Sequence, residues 1–233
     1  MKNPVFRLDE IIRLCTGKTV LHLGYVQHSH LYEKLIAEDI WVHSGIAKVA
    51  TQITGIDYLE KDVEIIKNKY GYEGYFGDAN HLENVPLNRQ FDVIVCGELI
   101  EHITNPGLML EGIKRFMHKD SVLIITTPNP WGHDFIKKTG NGEAEQSWIN
   151  PEHICWYSHF TLKNTLIRHG YTEVKYDYYF GFETEKQFFS VTPGILTPLK
   201  RLKRKWSVAN TKIQNQLGLF FISRLDNSGH NQS

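Results

Sequence analysis

Short apolar runs alternate with segments of helical periodicity from residue 18 to residue 130. The runs are KTVLHLG (18–24), VATQITGIDY (49–58), GYFGD (74–78), FDVIVCG (91–97) and SVLIITTPNP (121–130). The predicted helices between them are HLYEKLIAE (30–38), KDVEIIKNKY (61–70) and a segment that begins at Asn105-Pro106, with Asn as the N-cap and Pro at the first position. This alternation is typical of parallel strands that are joined by right-handed helical crossovers. The sequence therefore predicts an α/β fold.

The remaining segments extend this prediction at both ends of the chain. LDEIIRLC predicts a leading helix within residues 1–17, and FTLKNTLIRHG (160–170) predicts a late one. YTEVKYDYYF (171–180) and GLFFISRL (218–225) are predicted strands that could pair antiparallel at the sheet edge. We predict a Rossmann-like, doubly wound, mostly parallel seven-stranded sheet with an antiparallel edge strand. A single domain would span 1–233, with an insertion at about 184–215.

Composition excludes several other classes of protein. Lys+Arg and Asp+Glu both number 26, so no broad basic surface is expected and nucleic acid is not an expected partner. The three cysteines are too few and too scattered for a disulfide framework or a structural zinc site. The N-terminus has no apolar signal core, and no apolar run approaches ~18 residues. We expect a cytoplasmic protein without a membrane span.

A glycine or a polar side chain follows each of the five predicted parallel strands. These positions are Gly24, Asp57, Asp78, the pair Gly97 and Glu98, and the group Thr126, Thr127 and Asn129. In doubly wound sheets the ligand lies at the carboxyl ends of the strands. Gly24 would allow close backbone approach, Asp57 could accept ribose hydroxyls, and Asp78 could accept from an adenine amine. Any one of them alone would be ordinary turn chemistry, whereas the ordered series predicts a nucleoside site.

The order VLHLG, GID, GDAN, FDVIVCGELIEHI and LIITTPNP resembles class I S-adenosylmethionine-dependent methyltransferases. The later HICWYSHFTLKNTLIRHGY is similar to the segment that closes the substrate side in ubiquinone-biosynthesis O-methyltransferases and sugar or glycan methyltransferases. The resemblance covers about residues 18–180. It implies a methyltransferase with S-adenosylmethionine as cofactor, and cofactor-binding roles at Gly24, Asp57, Asp78, Ala79, Gly97 and Glu98.

One loop departs from the family pattern. The family usually carries D/E-x-G-x-G-x-G after the first strand, where this chain has HLGYVQHS. Only Gly24 matches; His22 stands at the acidic position, and Val26 and His28 stand at later glycine positions. This loop must contact the methionine part of the cofactor differently or bind it weakly. A non-catalytic nucleotide-binding or regulatory module therefore stays open, whereas a dehydrogenase would carry GxGxxG, which is absent.

An E-x-x-E-H string formed by Glu98, Glu101 and His102 follows the fourth strand. In a single helical turn these side chains would share one face, and His153 could supply a fourth ligand. The string resembles the metal site of small-RNA 3′-end 2′-O-methyltransferases and of some ubiquinone-pathway O-methyltransferases. This resemblance implies a divalent metal at Glu98, Glu101, His102 and His153. Alternatives are a metal-free His102 or His153 base, with Glu101 beside it, and a purely structural role.

Two further features concern the acceptor. Aromatic residues flank the expected acceptor side and could stack on a ring or a sugar, or simply pack: Trp131, Trp148, Trp156, Tyr157 and Phe160. LTPLKRLKRKW (196–206) is basic and amphipathic, which predicts peripheral membrane contact or a grip on a phosphate-bearing acceptor, unless it is a solvated face. We expect O-methylation of a sugar, a glycan intermediate or another small metabolite. Methylation of an RNA 3′-terminal ribose is the second reading.

Overall fold

A computed structural model describes residues 5–27, 31–147, 149–179, 184 and 218–226. Seven strands form one sheet in the order β3-β2-β1-β4-β5-β7-β6. Their bounds are β1 (Thr19–Leu23), β2 (Gln52–Asp57), β3 (Glu73–Phe76), β4 (Phe91–Gly97), β5 (Met117–Pro128), β6 (Tyr171–Tyr179) and β7 (Gly218–Leu225). The neighbouring strands among β1 to β5 pair in parallel, whereas β7 pairs antiparallel with both β5 and β6.

Helices cover both faces of the sheet. They are α1 (Arg7–Cys15), α2 (Tyr32–Ala37), α3 (Val42–Ala47), α4 (Glu60–Tyr70), α5 (Pro106–Ile113), α6 (His133–Gly140) and α7 (His159–Arg168). Short 3₁₀ helices occupy Ala79–Asn84, Ile100–His102, Lys114–Phe116 and Glu145–Ser147. Asn105 caps α5 as predicted, because its side chain accepts a hydrogen bond from the backbone N–H of Leu108.

The predicted fold class is confirmed: the sheet is mostly parallel, has seven strands and ends in antiparallel pairing. The antiparallel strand is β7, which lies one position in from the edge, and β6 forms the edge itself. Two helices, α3 and α6, were not predicted, because both are short and their sequences lack a clear helical repeat of apolar residues.

The core forms a layer on each side of the sheet. One layer joins the inner faces of α5 and α7 to the strands, and the other joins α1 and α3 to the opposite face. The insertion at about 184–215 and the basic segment 196–206 lie outside the described residues, apart from residue 184. None of the helices in the described ranges combines the length and the hydropathy that a membrane span requires.

Candidate functional site

A cavity of about 390 Å³ opens where β1, β2, β3 and β4 end. Five of the six predicted cofactor residues line it: Gly24, Asp57, Asp78, Ala79 and Glu98. Gly97 is not among the lining residues. A Cβ added to Gly97 would lie 3.4 Å from both a guanidinium nitrogen of Arg7 and Thr126 Oγ1, which is ordinary van der Waals contact, so the packing there does not require a glycine.

The loop after β1, in which the family has further glycines, is held here by the aromatic side chain of Tyr25. Gly24 adopts a φ of 69°, whereas Tyr25 and Val26 turn inward and are fully buried. A Cβ on Gly55 or Gly74 would overlap the Tyr25 ring or hydroxyl. Trp41 Nε1 donates to the Tyr25 carbonyl at 3.0 Å. The glycines at positions 55 and 74 of the strands are a sequence signal for this buried side chain that sequence reasoning missed.

Behind this loop lies a pair of fully buried histidines. His22 and His43 stack, and their Nδ1 atoms are 3.3 Å apart. Burial lowers the pKa of His22 to about 3, with a smaller contribution from the charge of Arg7. Burial also lowers the pKa of His43 well below its ordinary value. Because of this low pKa, His22 is neutral near pH 7. The family has an acidic residue at the same position.

Asp57 ties the loop after β1 to the end of β2. Its Oδ2 accepts from the backbone N–H of Val26 at 2.9 Å, and its Oδ1 accepts from that of Leu59 at 3.1 Å. Burial raises the pKa of Asp57, and the backbone hydrogen bonds oppose that shift. Each carboxylate oxygen retains a further lone pair, so the side chain can also accept a ligand hydroxyl in the cavity.

The turn after β4 differs from the expected single helical turn. Glu98 has a φ of 52°, in the left-handed region, so the 3₁₀ turn begins only at Ile100 and ends at His102. Glu98 therefore does not share a helical face with Glu101 and His102. Its side chain instead lines the cavity and accepts a hydrogen bond from the buried Tyr179 hydroxyl.

Three of the four predicted metal ligands come together. One ligand atom from each of Glu101, His102 and His153 lies within 4.8 Å of the other two, and Glu98 is not part of this group. The segment that carries His153 is held because the backbone N–H groups of Ile154 and Cys155 donate to the Glu101 carbonyl, at 2.9 and 3.3 Å. His102 also lines the cavity, so the group borders the predicted cofactor site.

The Glu101 carboxylate is completely buried. Its Oε2 accepts from Thr127 Oγ1 at 3.0 Å, while its Oε1 has no hydrogen-bond partner among the described residues. Burial, and then the charge of Glu98, raise the pKa of Glu101 to about 8. A buried oxygen without a donor, beside two imidazoles, fits the donor set that binds divalent transition metals.

Aromatic side chains pack beside His153. The Trp156 ring centroid lies 5.7 Å from that of His153 and 5.2 Å from that of Phe135. Trp131 is 64% exposed, whereas Tyr157 is buried in the core. Phe160 is exposed at the start of α7, and Trp148 lies outside the described residues.

Comparison with known proteins gives a family match. A family model described as "Methyltransferase domain" matches residues 17–176. The ubiquinone biosynthesis O-methyltransferase of Actinobacillus pleuropneumoniae serotype 7 (strain AP76) is 27% identical over 124 residues, which are 47% of this chain and 53% of that protein. The enzyme of the same name from Rickettsia canadensis (strain McKiel) is 26% identical over 167 residues, 68% of this chain and 65% of that protein. The chain thus spans between about half and two thirds of these relatives.

Solved structures share the fold. An S-adenosylmethionine-dependent methyltransferase from Archaeoglobus fulgidus has a TM-score of 0.57 at 18% identity, with 93% of this chain and 90% of that chain covered. Magnesium protoporphyrin IX methyltransferase from Synechocystis PCC 6803, solved with bound SAH, has a TM-score of 0.56 at 11% identity, with coverage of 94% and 81%. At these identities the likeness establishes the fold alone.

Proposed function

This chain belongs to the S-adenosylmethionine-dependent methyltransferases, and we propose that it methylates a hydroxyl oxygen with the assistance of a divalent metal. The acceptor in this proposal is a sugar, a glycan intermediate or another small metabolite. One observation carries it: His102 lines the cavity and also belongs to the Glu101–His102–His153 group. A reacting oxygen held by that group would therefore lie next to the cofactor.

The residues at the strand ends would bind the cofactor. S-adenosylmethionine supplies a methyl group activated on a sulfonium. Asp57 would accept from its ribose hydroxyls and Asp78 from its adenine amine, while Gly24 lets the backbone approach closely. The protein then contributes mainly alignment, because holding the methyl donor and the acceptor in line makes their reaction effectively unimolecular.

Glu101, His102 and His153 would act on the acceptor hydroxyl. They would hold a divalent cation, whose charge would lower the pKa of a hydroxyl beside it, so that its proton could pass to solvent while the oxygen takes the methyl group and S-adenosylhomocysteine leaves as the neutral thioether. Burial favours the protonated form of Glu101, so Glu101 would lose this proton when its carboxylate binds the cation. If no metal is held, the neutral imidazole of His102 or His153 is the group that would accept the proton.

Chelation tests this proposal. Methyl transfer to a panel of sugars, phenols and catechols, detected as methylated product by mass spectrometry, should fall sharply after exhaustive chelation. Added Mg²⁺, Mn²⁺, Fe²⁺ or Zn²⁺ should restore it. His153→Ala should abolish the restoration. His118→Ala should not, because His118 lies at the start of β5 and contacts Asp92. Full activity after chelation would contradict metal assistance.

A non-catalytic nucleotide-binding module is the second candidate function. The inward-turned Tyr25 and Val26 favour it, because they stand in the loop that contacts the methionine part of the cofactor in the family. Calorimetric titration with S-adenosylmethionine separates the two candidates. Absence of binding would support a module without methyltransferase activity, whereas binding together with methylated product in the assay above would support the enzyme.

A further inference from the structure

Asn80 lies between two loops that line the cavity. Its backbone N–H and its side-chain Nδ2 both donate to Asp78 Oδ1, at 2.8 and 2.9 Å. Its Oδ1 accepts from the backbone N–H of Asn105 at 3.0 Å and from Thr104 Oγ1 at 3.3 Å. The amide orientation is therefore determined, because a backbone N–H requires the oxygen and a carboxylate requires the NH₂.

On one side, Asn80 orients the carboxylate of Asp78, which lines the cavity. The Asp78 side chain is exposed, and an exposed carboxylate that lacks donors would sample several orientations. Two donors converge on its Oδ1 and leave Oδ2 to accept from a ligand. Asn80 also lines the cavity, next to Asp78 and Ala79.

On the other side, Asn80 holds the segment that follows the 3₁₀ turn Ile100–His102. Thr104 and Asn105 lie two and three residues beyond His102, and the Asn105 side chain then caps α5. His102 and Ile103 line the same cavity as Asn80. A single side chain therefore joins Asp78 to the turn that carries Glu101 and His102.

We propose that Asn80 is a positioning residue with two separable functions. Through Asp78 it sets the preference of the cavity for adenine, and through Asn105 it holds the turn that bears Glu101 and His102. The first function rests on the proposed binding of S-adenosylmethionine in this cavity. The second concerns contacts within the chain and can be measured without any ligand.

Two substitutions separate these functions. Asn80→Asp keeps an oxygen that can accept from Asn105 and Thr104, but it replaces the donor to Asp78 with a second negative charge. Asn80→Ala removes all three side-chain hydrogen bonds, whereas the bond from the backbone N–H of residue 80 to Asp78 does not depend on the side chain. Asn68→Ala, at an exposed position of α4, is the matched control. Circular dichroism and urea unfolding establish that each variant is folded.

Calorimetry with two ligands tests the adenine function. S-adenosylhomocysteine carries the amine, and S-inosylhomocysteine carries a carbonyl oxygen in its place. The wild type should prefer the adenine ligand by about tenfold or more, as expected for a hydrogen bond to a charged group. Asn80→Ala and Asn80→Asp should both reduce this preference by at least about threefold. Asn68→Ala should leave it unchanged.

Hydrogen exchange of the 99–108 peptide tests the second function. Exchange at the Asn105 amide should accelerate in Asn80→Ala and should stay close to wild type in Asn80→Asp. An unchanged adenine preference together with unchanged exchange in Asn80→Ala would overturn the proposal. A wild type that binds neither ligand would overturn the proposed function, and the adenine function of Asn80 with it. The exchange measurement would still decide whether Asn80 holds the turn.

Discussion

Two glycines on neighbouring strands make room for a single aromatic side chain. Gly55 on β2 and Gly74 on β3 face Tyr25, whose burial anchors the loop at the cavity. In the family pattern the glycines are in this loop itself, whereas here the glycines that accommodate the loop are in the neighbouring strands. The loop conformation therefore depends on packing between residues that are distant in sequence.

The first prediction concerns this packing. Gly74→Ala would push a methyl group against the Tyr25 hydroxyl, which has no hydrogen-bond partner among the described residues. The free energy of unfolding should fall by about 1–3 kcal/mol, as overpacking generally costs. In a Tyr25→Phe background the same substitution should cost clearly less, because the overlapping atom is gone. Urea denaturation measures both, and equal losses in the two backgrounds would argue against the contact.

The second prediction concerns the buried histidines. Their folded-state pKa values lie below the ordinary 6.5, so the unfolded chain binds more protons between about pH 6.5 and the folded-state value, about 3 for His22. Stability from this pair is complete above pH 6.5 and is lost as the pH falls. His43→Gln should flatten the decrease in unfolding free energy between pH 7 and pH 5. A variant with the wild-type slope would show that His43 does not take up a proton on unfolding.

At the scale of elements, the sequence predicts the strands correctly but does not predict the conformation of the turns. Continuous apolar runs predicted β1, β2 and β4, and the Asn-Pro pair predicted the start of α5. The positions of Asp57 and Asp78 follow from the strand ends, and the structure brings both to the cavity. The positive φ of Glu98 could not be predicted from the sequence, because a non-glycine residue rarely adopts it. The prediction that E-x-x-E-H forms one helical turn is therefore wrong at Glu98.

Long-range hydrogen bonds were equally hidden from sequence reasoning. The GDAN motif gives no indication of a role for Asn80, although its side chain links loops that are 25 residues apart in sequence. No periodicity signals such a contact, because it depends on how two crossovers pack. His153, in contrast, was predicted as a partner of Glu101 and His102, and the structure brings the three side chains together.

The third prediction concerns how Arg115, in the 3₁₀ helix Lys114–Phe116, holds the end of the 3₁₀ helix Ala79–Asn84 and the loop beyond it. Arg115 donates to the carbonyls of Leu82, Glu83 and Leu87 at 2.8, 2.9 and 3.2 Å. Arg115→Gln should lower the free energy of unfolding by about 2 kcal/mol, because several partly buried carbonyls lose their donor. It should also weaken the binding of S-adenosylhomocysteine. Arg13→Gln, which breaks only an exposed ion pair with Glu10, is the control and should have little effect.

At the scale of the whole molecule, the carboxyl edge of the sheet divides into two halves. The ends of β1 to β3 carry four of the predicted cofactor-binding residues, Gly24, Asp57, Asp78 and Ala79, whereas the turn after β4 and the segment before α7 carry the Glu101–His102–His153 group. The single-domain organisation and the cytoplasmic location stay predictions from sequence. So does the basic segment 196–206, which lies outside the described residues.

The fourth prediction concerns that basic segment. Reversing the charge of its five cations should reduce binding to anionic vesicles sharply, because each lysine or arginine near such a surface contributes about 1 kcal/mol. Binding to neutral vesicles should be weak for both proteins. Co-sedimentation measures the difference, and equal binding of the two proteins to anionic vesicles would mean that the segment is a solvated face. The changed residues are Lys200, Arg201, Lys203, Arg204 and Lys205.

The most direct measurement of the central claim is the distance between a metal bound by Glu101, His102 and His153 and the methyl group of bound S-adenosylmethionine. Mn²⁺ at this group should strongly enhance the nuclear relaxation of an isotopically labelled methyl, because His102 borders the cavity. The enhancement should disappear in His153→Ala and persist in His118→Ala. A methyl signal that relaxes equally with and without Mn²⁺, while the cofactor remains bound, would contradict metal-assisted methyl transfer at this site.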